Sequence, residues 1–180
     1  GFAANKPVIL VIGGSQGSVA VNDAVRGILP ELLKKYQVIH LCGKGKLDST
    51  KTDMEGYIQF EYVKKELADL FALADVCISR AGANAICELL ALRKPNLLIP
   101  LSANASRGDQ ILNARSFEKQ GFSYVLEEEN LTSDTLLDAI KQVETNKQVY
   151  IDAMAKSKQL DSIDTVIGLI NEAAASKSKK

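Results

Sequence analysis

Short apolar runs alternate with segments of helical periodicity along this chain. The apolar runs have strand length and are continuous, which is typical of parallel strands buried on both faces. Between them, apolar residues recur at the spacing of helices that cover a sheet. The predicted strands are Val8–Ile12, Val38–Cys42, Ile58–Val63, Val76–Ser79, Asn96–Leu101 and Ser123–Leu126. The predicted helices are Val21–Tyr36, Glu66–Ala74, Asn84–Leu92, Gln110–Gln120, 132–144, Lys147–Gln159 and Ser162–Ala175.

This order of elements predicts an α/β fold, a Rossmann-like three-layer α/β/α domain with a parallel sheet of about six strands. No internal repeat or linker interrupts the pattern, so residues 1–180 are expected to form one domain, with 176–180 as a flexible tail. The chain begins with Gly rather than Met, which suggests a processed product or a piece of a longer protein.

The loops that follow the strands hold most of the unusual small and polar residues. These loops are 13–18, 43–46, 63–65, 79–84 and 102–110. Open parallel sheets bind ligands beyond the carboxyl ends of their strands. We therefore expect these loops to converge on one binding site.

The first of these loops is a glycine-rich turn between a strand and a helix. It contains Gly14, Ser15, Gln16 and Gly17. Glycines allow the backbone to approach a ligand, and a helix N-terminus offers free N–H groups and a positive dipole end to a phosphate. The spacing matches neither G-x-G-x-x-G nor the P-loop, so a tight connection without a ligand remains the alternative.

A second strand–turn–helix segment follows the fourth predicted strand. It presents Arg80, Gly82, Ala83, Asn84 and Ala85. The small residues permit close approach of an anion, and an arginine can carry charge toward it. Glu88 lies one helical turn after Asn84, where its carboxylate could accept two hydrogen bonds from a vicinal diol such as a ribose. A solvent-exposed helical glutamate is the competing interpretation.

The loop 102–110 ends in Asp109 and Gln110, and Asn113 follows on the next helix. Their side chains can donate and accept hydrogen bonds, as binding of sugar hydroxyls requires. A polar surface loop with a helix cap is the alternative.

Composition and charge argue against several classes of partner. Lys plus Arg and Asp plus Glu are 22 each, so no overall positive field attracts nucleic acid, and aromatic residues are only 6%. No apolar run approaches the ~20 residues of a membrane-spanning helix. The three cysteines have no metal-ligand spacing, and we expect reduced thiols, with Cys42 and Cys77 in the core. His40, the only histidine, is expected to be a structural strand residue, so no catalytic triad is predicted.

Taken in order, these motifs resemble the C-terminal half of the MurG family over about residues 7–170. The resemblance rests on Gly13–Ser18 with Asn22, Gly43–Gly45, Ala74–Val76, Ser79–Ala83 with Glu88, Pro95, Pro100, Asp109–Gln110 and Asn113–Ala114. Members of this family are peptidoglycan glycosyltransferases that add N-acetylglucosamine (GlcNAc) from UDP-GlcNAc to lipid I, giving lipid II. They have the GT-B architecture, in which two Rossmann-like domains enclose the active site, and they need no metal or cofactor.

The resemblance implies a role for each candidate residue. The first glycine turn would meet the nucleotide and its diphosphate through Gly14, Ser15, Gln16 and Gly17. The diphosphate would also face Arg80, Gly82, Ala83, Asn84 and Ala85. Glu88 would hold the ribose hydroxyls, and the backbone near Val63 would contact the uracil edge. Asp109 and Gln110 would bind the GlcNAc hydroxyls, with Asn113 nearby.

The resemblance also implies what the chain does and with which partners. It would be the donor-binding half of an inverting hexosyltransferase, binding UDP-GlcNAc but not catalysing transfer alone. The acceptor domain and any catalytic base would belong to a preceding N-terminal half, and lipid I would bind only to the full-length protein. The expected location is the cytoplasm, with the full-length enzyme peripheral on the cytoplasmic face of the cell membrane.

Two other functions remain open at this point. The chain could be the donor domain of another GT-B sugar-nucleotide enzyme, since Asp109 and Ala85 stand where family members often carry Gln or His, and Thr. It could also be a non-catalytic, nucleotide-binding regulatory domain.

Overall fold

The computed structural model describes residues 2–14, 16–104 and 108–157. Within these ranges six parallel strands form one sheet, and helices cover both of its faces, which confirms the predicted three-layer α/β class. The strands are β1 (Val8–Ile12), β2 (Gln37–Leu41), β3 (Tyr57–Phe60), β4 (Val76–Ser79), β5 (Asn96–Leu98) and β6 (Tyr124–Val125). The helices are α1 (Val19–Gly27), α2 (Leu29–Lys35), α3 (Leu67–Leu73), α4 (Ala83–Ala91), α5 (Asp109–Lys119), α6 (Ser133–Thr145) and α7 (Lys147–Ala155).

The order of the strands across the sheet is β3-β2-β1-β4-β5-β6. The chain builds outward from β1 to β3 and then returns to place β4 on the other side of β1. The strand order therefore reverses between β1 and β4. In doubly wound sheets the loops diverge at such a switch point and leave a crevice at the carboxyl ends of the strands.

Neighbouring residues of each central strand enter different cores. Ile9 and Val11 of β1 pack under α1, α2 and α6, whereas Val8 and Leu10 pack under α3, α4 and α5. Both faces of the strand are thus removed from water. This two-sided burial explains why the strands are continuous apolar runs rather than alternating patterns.

The single helix predicted over Val21–Tyr36 is wrong, because the structure contains two helices that meet at Ile28. Pro30 stands in the first turn of α2. Proline has no N–H to donate to the Arg26 carbonyl one turn back, and its ring would clash there in a continuous helix. The proline therefore ends α1 and starts α2.

Three of the other predicted boundaries within the described residues differ from the structure by three residues or more, and the rest by at most one residue. The third strand ends at Phe60, so Val63 lies in the loop beyond it, and the fifth strand ends at Leu98. The helix predicted from Lys147 is observed to Ala155, whereas the predicted helix Ser162–Ala175 and the tail 176–180 lie outside the described residues. No helix in the described ranges is both long enough and apolar enough to span a membrane.

A small polar cluster joins α2 to α6 at the edge of the first core. The Glu144 carboxylate accepts hydrogen bonds from the Tyr36 hydroxyl at 2.5 Å and from the Lys35 ammonium at 2.6 Å. Burial raises the pKa of Glu144, but these two hydrogen bonds outweigh it, so the pKa of the carboxyl lies below its ordinary value. Ionised Glu144 is therefore the form that the fold stabilises.

We predict that Glu144→Gln lowers the free energy of unfolding by about 1 kcal/mol at pH 7. Because the pKa of Glu144 is depressed in the folded state, its contribution is present above the pKa of the unfolded carboxyl. The difference from wild type should therefore shrink as the pH falls below about 4. Urea unfolding at several pH values measures both quantities.

The matched control is Glu31→Gln, which removes an exposed ion pair with Lys34 within α2. It should change stability much less, since exposed pairs contribute little. An equal loss from both variants, or a pH-independent loss for Glu144→Gln, would contradict the assignment.

Candidate functional site

Two adjoining cavities open at the carboxyl ends of β1 and β4, at the switch point of the sheet. Their volumes are about 550 and 430 Å³, and both are lined by Gly14, Ser79, Gly82 and Ala85. Four of the five loops predicted to converge contribute lining residues, and the fifth, 43–46, packs against the first. Four of the five loops therefore meet at these cavities, and the prediction that they form a binding site stays a prediction.

The larger cavity has an apolar interior and a polar rim. Its apolar lining comes from Leu41, Tyr62, Val63, Leu67, Phe71 and Leu89. Asn84 and Glu88 of α4 lie along its polar side, and both are exposed to solvent. A pocket of this kind suits a flat apolar ring that carries a hydroxylated group at its edge.

The N-terminus of α4 opens into the cavities without a side-chain cap. Gly82 is the N-cap residue, and no side chain among the described residues accepts a hydrogen bond from the first turn. The N–H groups of Ala83, Asn84 and Ala85 therefore have no partner within the helix, and the positive end of the helix dipole lies beside them. No atom lies within 4 Å of the place that a Cβ on Gly82 would take, so the approach is open. This arrangement can bind an anion through backbone groups alone.

The glycines of the first turn serve contacts within the protein. Gly17 has a φ of +69°, and a Cβ there would lie 2.6 Å from the Cys42 carbonyl carbon. A Cβ on Gly43, whose φ is +90°, would lie 2.5 Å from the Gly17 Cα. Both positions therefore need glycine because the loops after β1 and β2 pack backbone against backbone. Gly14 alone faces open space and lines both cavities.

Arg80 is at the base of the smaller cavity, and its guanidinium already has partners in the protein. The side chain is only 8% exposed, and Nη1 donates to the carbonyl oxygens of Ile99 and Pro100, each at 3.1 Å. Nη2 donates to Ser18 Oγ at 2.5 Å and forms an ion pair with Glu128. The sequence suggested that Arg80 faces an anion, but here it joins β4, the end of β5, the start of α1 and the turn after β6.

Ser18 connects this cluster to the first helix. It is the N-cap of α1, and its Oγ accepts a hydrogen bond from the Val21 N–H at 3.3 Å. The same oxygen accepts the hydrogen bond from Arg80. The N-terminus of α1 is thereby held at a fixed place relative to the corner between β4 and α4.

The three candidate sugar-binding residues occupy different environments on α5. Gln110 lines the smaller cavity, and its Oε1 accepts a hydrogen bond from the Leu101 N–H at 3.0 Å. Asn113 donates from Nδ2 to the Ala81 carbonyl at 3.0 Å, which ties α5 to the corner before α4. Asp109 is exposed in the first turn of α5.

The remaining candidates are not brought into the cavities by the described structure. Gln16, Asp109 and Asn113 line neither of the two cavities. Ser15 lies outside the described residues. The other candidates, namely Gly14, Gly17, Val63, Arg80, Gly82, Ala83, Asn84, Ala85, Glu88 and Gln110, line one cavity or both.

His40 is structural, as the sequence predicted. Its ring is fully buried and makes hydrogen bonds to the Tyr57 hydroxyl and the Asn22 amide, each at 2.9 Å. Burial, with a smaller contribution from the charge of Arg26, lowers the pKa of His40 to about 3. The prediction that Cys42 and Cys77 are core thiols is also confirmed, and Cys87 is exposed on α4.

Sequence reasoning missed Glu128 and the apolar side of the larger cavity. Glu128 follows β6, so the rule that loops after parallel strands form the site would have included it had it been extended to the last strand. Tyr62, Leu67 and Phe71 gave no such signal. Apolar residues at helical spacing are more often part of the core than part of a site, and Phe71 both belongs to the second core and lines the larger cavity.

The sequence matches the glycosyltransferase family 28 C-terminal domain over residues 8–167. Two similar curated proteins bear the name UDP-N-acetylglucosamine–N-acetylmuramyl-(pentapeptide) pyrophosphoryl-undecaprenol N-acetylglucosamine transferase. The one from Lachnoclostridium phytofermentans is 63% identical over 172 residues, which cover 96% of this chain and 48% of that protein. The one from Lachnospira eligens is 61% identical over 171 residues, covering 95% and 48%. The chain thus spans about half the length of the curated relatives it matches.

Among solved structures, MurG of Acinetobacter baumannii is similar to this chain with a TM-score of 0.76. The match covers 94% of this chain and 51% of the other, at 23% sequence identity. At this identity the likeness concerns the fold alone.

We predict that Arg80→Lys lowers the free energy of unfolding by about 3 kcal/mol, because one ammonium cannot replace the guanidinium toward two carbonyls, a hydroxyl and the partly buried Glu128 carboxylate. Guanidinium chloride unfolding measures the loss. Arg115→Lys is the control, since Arg115 is also ion-paired, to Glu118 and Glu127, but its side chain is 51% exposed. Equal stability of the two variants would show that the Arg80 cluster does not hold these elements together.

Proposed function

Since the chain belongs to the glycosyltransferase family 28 C-terminal domain family, we propose that its cleft binds UDP-GlcNAc as the donor half of a GlcNAc transferase. The observation that carries the proposal is the uncapped N-terminus of α4 at the switch point, with Glu88 one turn further along the same helix and an apolar pocket beside it. These features match the diphosphate, the ribose and the base of a nucleotide in order.

The larger cavity is the proposed site of uridine. Its apolar lining would take the faces of the base, with the backbone near Val63 at the base edge. The exposed Glu88 carboxylate would accept hydrogen bonds from the ribose hydroxyls, since a carboxylate can accept from two neighbouring hydroxyl groups.

The diphosphate is proposed to lie between the two cavities, against the backbone of Gly82, Ala83, Asn84 and Ala85 and against the first glycine turn with Gly14. The sugar would then extend toward the smaller cavity, where Gln110 already lies. Ser15, Gln16, Asp109 and Asn113 remain proposed contacts, on the basis of the family resemblance. Arg80 would act indirectly, by holding the N-termini of α1 and α4 in position.

The chemistry of the donor half is proposed to be stabilisation of the leaving group. In an inverting transfer, an acceptor oxygen forms a bond to the anomeric carbon while the bond from that carbon to the diphosphate oxygen breaks. The electron pair leaves with UDP, so negative charge grows on the phosphate oxygen. The N–H groups and dipole of α4 would stabilise that charge in place.

Acceptor binding and deprotonation of its hydroxyl are assigned to the preceding half of the full-length protein. The names of the curated relatives give an undecaprenol-linked acceptor. We extend this to the full-length form of the present protein, which would act on lipid I at the cytoplasmic face of the membrane. The remaining half is required because a positioned base and acceptor supply most of the rate of such a transfer.

We predict that Glu88→Ala raises the Kd for UDP about 100-fold, since two hydrogen bonds to a charged group are lost. The sharper test compares UDP with 2′-deoxy-UDP by calorimetry. If Glu88 holds the ribose, wild type should lose affinity for the deoxy ligand, whereas Glu88→Ala should bind both ligands equally. Glu118→Gln, on the exposed side of α5, is the control and should bind like wild type.

A donor panel tests the identity of the nucleotide and sugar. UDP-GlcNAc should bind more tightly than UDP-glucose, and a GDP-sugar should bind much more weakly than either. A preference for the GDP-sugar would refute the proposal, and no preference between the two UDP-sugars would refute the choice of GlcNAc. Chelation of divalent metal should leave the affinities unchanged.

We further predict that the 180-residue chain forms no product from UDP-GlcNAc and lipid I, whereas the full-length protein does. Radiolabelled GlcNAc transferred to the lipid fraction measures the activity. Transfer by the isolated chain would overturn the division of labour between the halves, and inactivity of the full-length protein would overturn the proposed acceptor.

A further inference from the structure

The first glycine turn rests directly on the backbone of Cys42 and Gly43, the residues that follow β2. The Gly17 Cα is packed so closely against the Cys42 carbonyl group that no side chain fits between them. Gly43 is packed in the same way against the Gln16 carbonyl and the Gly17 Cα. The position of the Cys42 carbonyl therefore decides where the first turn can lie.

The Cys42 carbonyl is itself held by one buried side chain. Asn22 of α1 donates from Nδ2 to the Cys42 carbonyl oxygen at 2.9 Å, and Asn22 is only 1% exposed. Its Oδ1 lies 2.9 Å from Nε2 of His40 on β2, and His40 Nδ1 lies 2.9 Å from the hydroxyl of Tyr57 on β3. A continuous hydrogen-bonded chain thus runs from the edge strand through β2 and α1 to the carbonyl under the glycine turn.

The direction of this chain follows from its ends. Asn22 must direct its amide NH₂ at Cys42, because a carbonyl oxygen only accepts hydrogen bonds. Its Oδ1 therefore accepts from His40 Nε2–H, and neutral His40 then accepts the Tyr57 O–H at Nδ1. The depressed pKa of His40 agrees with a neutral ring. Each group has one donor and one acceptor role, so the Asn22 amide cannot rotate without breaking two hydrogen bonds.

A second set of contacts holds the rest of the loop after β2. Arg26, one turn after Asn22 on α1, donates to the Lys46 carbonyl at 2.6 Å and to Gln59 Oε1 at 2.9 Å. Lys46 in turn donates to the Gln16 carbonyl of the first turn. Arg26 also donates to Cys42 Sγ at 3.3 Å. These contacts therefore hold the Cys42 side chain and the outer end of the loop, whereas Asn22 donates to the Cys42 carbonyl that Gly17 touches.

We propose that Asn22, held in one orientation by His40 and Tyr57, is a positioning residue that sets the first glycine turn for binding of the donor diphosphate. The inference rests on the proposed function, since it assumes that the turn contacts a nucleotide diphosphate. Asn22 does not touch the ligand. It acts through the Cys42 carbonyl and the Gly17 backbone, so its loss should loosen the turn while the sheet and the N-terminus of α4 stay in place.

The main experiment compares two buried asparagines in the 180-residue chain. Asn96, fully buried at the start of β5, donates to the carbonyls of Lys94 and Phe122 at the opposite edge of the sheet. Asn22→Ala and Asn96→Ala both remove a buried amide that donates to backbone carbonyls. At a temperature where both variants are fully folded, we expect the Kd for UDP to rise about tenfold for Asn22→Ala and to stay at the wild-type value for Asn96→Ala.

Tyr57→Phe provides a second variant that removes only one oxygen and is therefore expected to fold. It should raise the Kd for UDP by a smaller factor, about threefold. In the Asn22→Ala background the same change should have no further effect on Kd, because the chain to Cys42 is already cut. Additive effects of the two substitutions on Kd would contradict the relay.

Ligand-free ¹⁵N–¹H spectra read the position of the turn directly. Asn22→Ala should shift the amide resonances of Gly17 and Gly43 and leave those of Ala83 and Asn84 unchanged. An unchanged Kd for UDP in Asn22→Ala, or an equal rise in Asn96→Ala, would overturn the inference even if wild type binds UDP well. Absence of UDP binding by wild type would instead overturn the proposed function, and the spectra would still decide whether Asn22 positions the turn.

Discussion

The close contact between two glycine corners is the constraint on which the cleft depends. Gly17, after β1, and Gly43, after β2, touch through their backbones, and neither position can carry a side chain. Two adjacent parallel strands end at the same edge, so their loops compete for the same space. Glycine at both positions allows the two loops to pack in backbone contact within that space. The turn after β1 is thereby placed beside the corner between β4 and α4, where the cavities open.

Two clusters of buried polar groups also hold the first glycine turn in position. Asn22 and its partners lie on the β2 side of the turn, and Arg80 with Ser18 and Glu128 lies on the β4 side. Asn22 and Ser18 are hydrogen-bonded inside the protein, and Glu128 forms an ion pair with Arg80, in a region where an unpaired polar atom would cost more than the bond contributes. The two clusters thus hold the end of the first turn, at Gly17 and Ser18, from the β2 side and from the β4 side.

The fold could be predicted almost entirely from the sequence, because burial on both faces leaves an unmistakable pattern in the central strands. Val8–Ile12 and Val76–Ser79 were predicted with the bounds that the structure shows. The family resemblance was also confirmed by the match over residues 8–167. The error at Ile28 came from reading periodicity across Pro30, where apolar spacing continues from one helix into the next and local backbone chemistry decides the break.

The site was predicted less completely, for a physical reason. A motif shows which residue types are present, but not whether their side chains already bond or pack against another group of the protein. Arg80 was a reasonable anion ligand by type, yet Glu128, 48 positions later, already pairs with it. Gly17 was predicted as a phosphate contact and lines the smaller cavity, but the side of its Cα where a side chain would stand is packed against the Cys42 carbonyl. Such contacts join segments that are distant in the sequence, and no local pattern predicts them.

The uncapped start of α4 has a consequence for how the cleft responds to substitution. The groups presented at Ala83, Asn84 and Ala85 are main-chain amides, which every residue except proline carries. An alanine scan would detect little in this stretch, because alanine keeps the main-chain N–H groups that the proposed diphosphate would contact. Proline or an N-methylated residue, introduced by chemical ligation, is the substitution that removes the hydrogen-bonding groups themselves. Mutagenesis that replaces only side chains will therefore underestimate the importance of the start of α4, because its hydrogen-bond donors belong to the main chain.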